Sequence, residues 1–206
     1  MMLLILIGLF GMMALVAFLY HRHQNTSAKI GGKISSAKSF WLAYAFFHYF
    51  IYPIYFYCLI ESNHSKQLIL IVAIWFYLRM MVQGFMMFVT LNWSPQLGIG
   101  HNVLTSFGLI IMALFTYWQN SLSLVFEDFL VLIYIFNLAL ISFVDTIYAY
   151  RFGQIVGDQT KGKEAIWYAS NDDRFNEICR LTKRNNYAFL MLSLLIILAI
   201  VFYDTF

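Results

Sequence analysis

The chain has 206 residues and a net charge of +3; 62% of its residues are hydrophobic and only 11% charged. Soluble domains carry about 25% charged residues, and a soluble fold of this size has no single core able to hide so much apolar surface. The 13 Lys and Arg fall mainly in two separate clusters, the second interleaved with acids, which excludes a nucleic-acid-binding face.

Six apolar stretches follow one another, at about 2–20, 39–60, 67–91, 102–119, 128–150 and 187–203. Each has about the 17–25 residues that a helix needs to cross the ~30 Å hydrocarbon layer. Backbone polar groups in lipid must be satisfied within the segment, so helices are the expected form. The sequence predicts an all-α, polytopic integral membrane protein of one domain, 1–206, with six transmembrane helices.

The first stretch lacks a basic leader, and "LVAFLYHRH" offers no small-residue cleavage site, so it reads as a retained span. The histidines of "HRH", 21–23, have no other clustered ligand and read as an interface anchor. The second stretch contains "FFHYFIYPIYFYC". There Tyr44, His48, Tyr52 and Tyr55 recur at helical spacing and share one face. Pro53 removes a backbone donor, predicting a kink and a freed carbonyl near residue 49.

The third stretch carries Arg79, with Gln83 one turn further along the same face. "NWSPQLGIGHN", 92–102, reads as a tight irregular loop because Pro95, Gly98 and Gly100 interrupt it. The fourth stretch is short and carries Thr105, Ser106 and Gly108. In the fifth, Asn137, Ile141, Asp145 and Tyr148 share a face. With that span ending near 150, helical rise leaves Arg79 and Asp145 offset by roughly 8–10 Å. Tilt or leaning side chains are then needed to pair them.

The segment 151–186 is the only sizeable polar part. Within it "SNDDRFNEICRLTKRNN" predicts an amphipathic helix, with Ser170 as N-cap, lying on the membrane. Phe175, Ile178 and Arg180 on this helix are the candidate docking residues for a partner.

Loops 21–38, 92–101 and 151–186 share one face in a six-span topology. The first and third hold 11 of the 13 basic residues, so that face is expected to be cytoplasmic and both termini outside (N-out/C-out). Cys58 and Cys179 then lie near opposite faces and form no disulfide framework.

Charged residues inside a span usually face the bundle interior and mark function. We therefore expect an ion or small-solute site around His48, Arg79, Gln83, Asn137 and Asp145, flanked by Tyr44 and Tyr52. No catalytic set and no metal-ligand spacing is visible. Haem ligation through His48 lacks a second histidine at matching depth. Two function classes stay open: a transporter or channel-like protein, or a non-catalytic subunit of a larger membrane complex. A membrane-embedded lipid enzyme comes third. The expected partners are the bilayer and further copies of the chain or other membrane subunits.

Overall fold

The computed structural model describes residues 43–88, 94–120, 125–156 and 173–205. Every regular element among them is helical: a π-helical turn Phe47–Ile51, then α1 Tyr52–Leu59, α2 Asn63–Phe88, α3 Pro95–Asn120, α4 Phe126–Val156 and α5 Asp173–Thr205. Helical residues 43–46 lead into the π-turn. Four segments, Asn63–Gln83, Pro95–Trp118, Phe126–Ile155 and Glu177–Tyr203, are long and apolar enough to cross a membrane. The second apolar stretch is described from residue 43 and ends with α1. The first stretch, 2–20, and the loop 21–38 lie outside the described residues.

The π-turn follows from Pro53. Proline has no N–H to give to the carbonyl four residues back, and the helix widens just before it. Tyr52 N–H accordingly donates to Phe47 O, five residues back.

α4 is the central element and packs against α1, α2, α3 and α5. Its sequence is apolar on all sides apart from a few polar positions, as a helix surrounded by others requires. Within its apolar stretch 50% of the residues are buried, against 28–33% in the other three. The outer helices turn apolar side chains outward. Leu104, Phe107, Ile111 and Phe115 form such a stripe on α3, a surface suited to lipid and not to water. Where α3 and α4 come closest, Gly153 faces Pro95, and a Cβ there would sit 3.0 Å from the proline ring.

Two boundaries differ from the sequence reading. The expected irregular loop at 92–101 is helical from Pro95 onward. Ser94 explains this, because its Oγ accepts from Leu97 N–H at 3.3 Å and its carbonyl from Gly98 N–H at 3.0 Å. Ser94 is thus an N-cap followed by proline in the first helical position, where the missing N–H costs nothing. The separate helix expected on the membrane surface is instead the first part of α5. That helix runs unbroken for 33 residues, about 50 Å at 1.5 Å per residue. Its expected cap, Ser170, lies outside the described residues.

At the opposite end of the bundle, α1 and α2 are joined by a short break at Ile60, which is extended. The Glu127 carboxylate, at the start of α4, accepts from Glu61 N–H at 2.8 Å and Ser62 N–H at 3.0 Å. One side chain therefore satisfies two orphan donors ahead of α2 and ties that turn to α4. We expect Glu127→Ala to destabilise the detergent-solubilised protein by about 1–2 kcal/mol, in the range of a lost helix cap, with Glu127→Gln between it and wild type. Thermal unfolding of the three proteins measures this.

Candidate functional site

Arg79 on α2 and Asp145 on α4 meet directly, Nη2 to Oδ2 at 2.6 Å. Their side chains are 3% and 14% exposed, so the pair is inside the bundle. The offset expected from the sequence is absent because α4 does not end near 150. It continues to Val156, which puts Asp145 about 16 Å from that end by helical rise. The 2.6 Å contact places the two charges at one depth.

Every described long helix contributes to this charged layer. Asn102 on α3 accepts from Arg79 Nε at 3.2 Å and Nη2 at 2.8 Å through its Oδ1. Asn185 on α5 donates to Asp145 Oδ1 at 3.0 Å. Tyr44, ahead of the π-turn, donates its hydroxyl to Asp145 Oδ2 at 3.4 Å. The guanidinium also lies over the Phe76 ring, 5.0 Å from its centroid, a favourable place for a cation. Arg79 Nη1 is buried and meets no carboxylate or amide oxygen at hydrogen-bonding geometry, while the Tyr49 hydroxyl interacts with the guanidinium. Tyr49 and His101 stand within reach of the Arg79 charge. His101 is half-buried, and its Nδ1 has no partner. Gln83 is half-buried one turn beyond Arg79; the direct ion pair leaves it no bridging role.

A second layer is neutral. His48 Nδ1 lies 3.0 Å from Tyr44 O and its Nε2 lies 2.8 Å from Ser193 Oγ on α5. Asn137 Nδ2 donates to Ser193 Oγ at 2.8 Å and to Tyr52 OH at 2.9 Å. The order of donors is fixed by elimination. A carbonyl only accepts, so His48 carries its proton on Nδ1. Neutral His48 then accepts at Nε2, and Ser193 spends its one proton there. Ser193 must in turn accept from Asn137. Both ring nitrogens are engaged, so an axial haem bond at Nε2 would require displacing Ser193.

No family model, curated protein or solved structure matches this chain.

The structure therefore divides the expected residues into two sets. Arg79, Asp145 and Tyr44 share the charged layer. His48, Asn137 and Tyr52 share the neutral one. Asn102, Asn185 and Ser193 belong to these layers and were not expected. Ser193 is a lone polar residue in an apolar run, Asn102 follows His101, and Asn185 sits in the polar run Thr182–Asn186; in none of these does sequence alone mark the residue as facing a buried charge. Of the expected docking residues, Ile178 is half-buried and Arg180 exposed; the Phe175 side chain lies outside the described residues. Among the described residues no group of three His, Cys, Asp or Glu side chains could hold a metal ion.

Removing one partner of a buried ion pair strands the other charge, at a cost of about 3–5 kcal/mol. We expect Arg79→Met and Asp145→Leu each to destabilise by that order. The double variant should be less destabilised than the sum of the two. A double-mutant cycle on denaturant unfolding in detergent reads the coupling directly, and simple additivity would refute it.

Proposed function

We propose that this is a six-span membrane protein that passes a small anionic solute through the Arg79 layer. Both termini lie outside, and the basic segments 21–38 and 151–186 lie in the cytoplasm. The observation that carries the reading is the buried guanidinium of Arg79, whose Nη1 meets no carboxylate or amide oxygen at hydrogen-bonding geometry. Buried polar groups are nearly always hydrogen-bonded, and an unfilled cationic donor inside a bundle calls for an acceptor.

Charge arithmetic narrows the mechanism. Arg79 and Asp145 cancel, so the layer holds no net charge to attract an ion. An anion on Arg79 Nη1 leaves Asp145 on Nη2 and adds one negative charge to the layer, which Asp145 offsets by taking a proton. Protonation keeps the layer neutral with the anion bound. This is proton-coupled anion movement, with His101 as the half-exposed neighbour on the entry side.

Reconstituted vesicles carrying an internal pH dye test the reading with acetate, phosphate and chloride as the probes. We expect at least one of these anions to enter together with protons. Arg79→Lys keeps a cation opposite Asp145 but loses the planar fork that serves Asn102, Asp145 and a solute together. Flux should fall at least about tenfold, the size of one good hydrogen bond, with the unfolding midpoint nearly unchanged. Equal flux in wild type and Arg79→Lys would sink the proposal.

The topology has its own test. A membrane-impermeant maleimide should label Cys58 in intact cells and Cys179 only after permeabilisation. The reverse order would invert the assignment.

A second reading rests on the length of α5. At about 50 Å it exceeds the ~30 Å hydrocarbon layer by several turns. Its start, with exposed Arg180, projects as a helix fit to dock an acidic partner. Native mass spectrometry of the complex extracted from its own membrane separates the two. A stoichiometric second protein favours a complex subunit, and this chain alone or as a homo-oligomer favours transport.

A further inference from the structure

α5 turns one continuous stripe away from the bundle. Tyr187, Met191, Leu195 and Leu198 on it are all exposed. They recur at helical spacing and so share one face. The same face continues toward the start of the helix through Arg184 and Arg180, both exposed. An apolar stripe thus ends in two arginines one turn apart. Neither has an ion-pair partner among the described residues, where Arg79–Asp145 is the one salt bridge.

The depth of these arginines follows from the apolar run. From Tyr203, at its far end, to Arg184 the helix rises about 28 Å, close to the ~30 Å of the hydrocarbon layer. With Tyr203 at one boundary, Arg184 comes to within a few ångströms of the other. Arg180 stands about 6 Å further out, among head groups. Side chains on a helix lean toward its N-terminus. On α5 that is the head-group end, so both guanidiniums extend toward phosphates while their stems stay along the apolar stripe. At i and i+4 their Cβ atoms lie ~5–6 Å apart, close enough for both forks to close on one phosphate. Half-buried Lys183 adds a third positive charge, against the single carboxylate of exposed Glu177, one turn before Arg180.

We propose that this face of α5 holds one phospholipid of net negative charge, its phosphate between Arg180 and Arg184 and an acyl chain along Met191, Leu195 and Leu198. Phosphatidylcholine offers the same phosphate, but its ammonium would meet a surface that is already positive, and like charges repel. An acidic protein has no use for the apolar stripe that continues the arginine face into the hydrocarbon layer. The inference is independent of the Arg79 reading, since the two sites share no residue.

The test uses full-length protein in detergent. Phosphatidylglycerol and phosphatidylcholine with the same acyl chains are added in turn, and bound lipid is counted by native mass spectrometry. We expect one phosphatidylglycerol per chain, held about tenfold more tightly than phosphatidylcholine, the order set by two basic residues near a phosphate. Replacing both arginines, Arg180→Gln with Arg184→Gln, should remove that preference. Arg151→Gln, at an exposed arginine on α4, should keep it. Both α5 arginines are exposed, so the thermal unfolding of the lipid-free double variant should stay near wild type. A phosphatidylglycerol with a photoreactive acyl chain should label the wild type between 187 and 202. If the double variant does not fold, the position of that label decides alone. Equal retention of the two lipids overturns the proposal, as does label confined to other helices or an unchanged preference in the double variant. An equal loss in Arg151→Gln overturns it too, since the attraction would then be one of diffuse charge. So does an acidic protein found cross-linked at Arg180 and Arg184 in the native membrane.

Discussion

A guanidinium cannot be left unpaired among apolar helices, and that constraint organises the whole bundle. Insertion of one charged residue at a helix centre costs at least ~2.5–3.5 kcal/mol, so Arg79 dictates what must stand around it. Asp145 neutralises it, Asn102 takes two of its N–H groups, and Asn185 and Tyr44 hold the carboxylate in place. These partners come from α3, α4, α5 and the helical residues ahead of the π-turn. Dispersion alone selects poorly among sliding registers of apolar helices, because lipid is as apolar as they are. A directional cluster fed by every long helix does select, since a slip of one turn strands a charge.

Tyr44 joins the charged layer to the neutral one. Its hydroxyl donates to Asp145 while its carbonyl lies against His48 Nδ1. The π-turn lies between these groups and Pro53, and His48 is one of its residues. A widened turn rotates the residues that follow it relative to a regular helix, and π-bulges recur at functional sites for that reason. Here Tyr52, just past the turn, still reaches Asn137. The tyrosine stripe read from ideal helical spacing therefore survives, although the helix carrying it is not ideal.

Much of this was legible from residue types and spacing. The pairing of Arg79 with Asp145 follows from cost, since two opposite intramembrane charges in one chain have few other options. The stripe Tyr44, His48, Tyr52 follows from a period of 3.6. What stayed hidden has physical causes. The end of the fifth span was placed near 150, where its apolar run stops, yet the helix continues beyond the apolar zone to Val156. That error alone produced the apparent mismatch in depth with Asp145. Pro95 and the glycines at 98 and 100 resembled loop chemistry, while Ser94 supplied the cap that made proline a helix starter. Ser193 is a lone hydroxyl in an apolar run, and Asn102 and Asn185 lie among other polar residues near the ends of apolar stretches, so each becomes a site residue only through what faces it.

The two layers also differ in what they can move. Protons travel along hydroxyls, imidazoles and carboxyls that can both receive and release one. Between Ser193 and Tyr52 stands the Asn137 amide, which donates in both directions and has no proton to pass on. The neutral layer is therefore not a continuous proton path, even though it contains a histidine and a tyrosine. Any proton handling is confined to the charged layer, where Asp145 faces a tyrosine hydroxyl and Arg79. The neutral layer is left with a different role, to hold α5 against α4 and the π-turn. One layer of the described bundle is thus built on an ion pair and the other on neutral hydrogen bonds that fix how the helices meet.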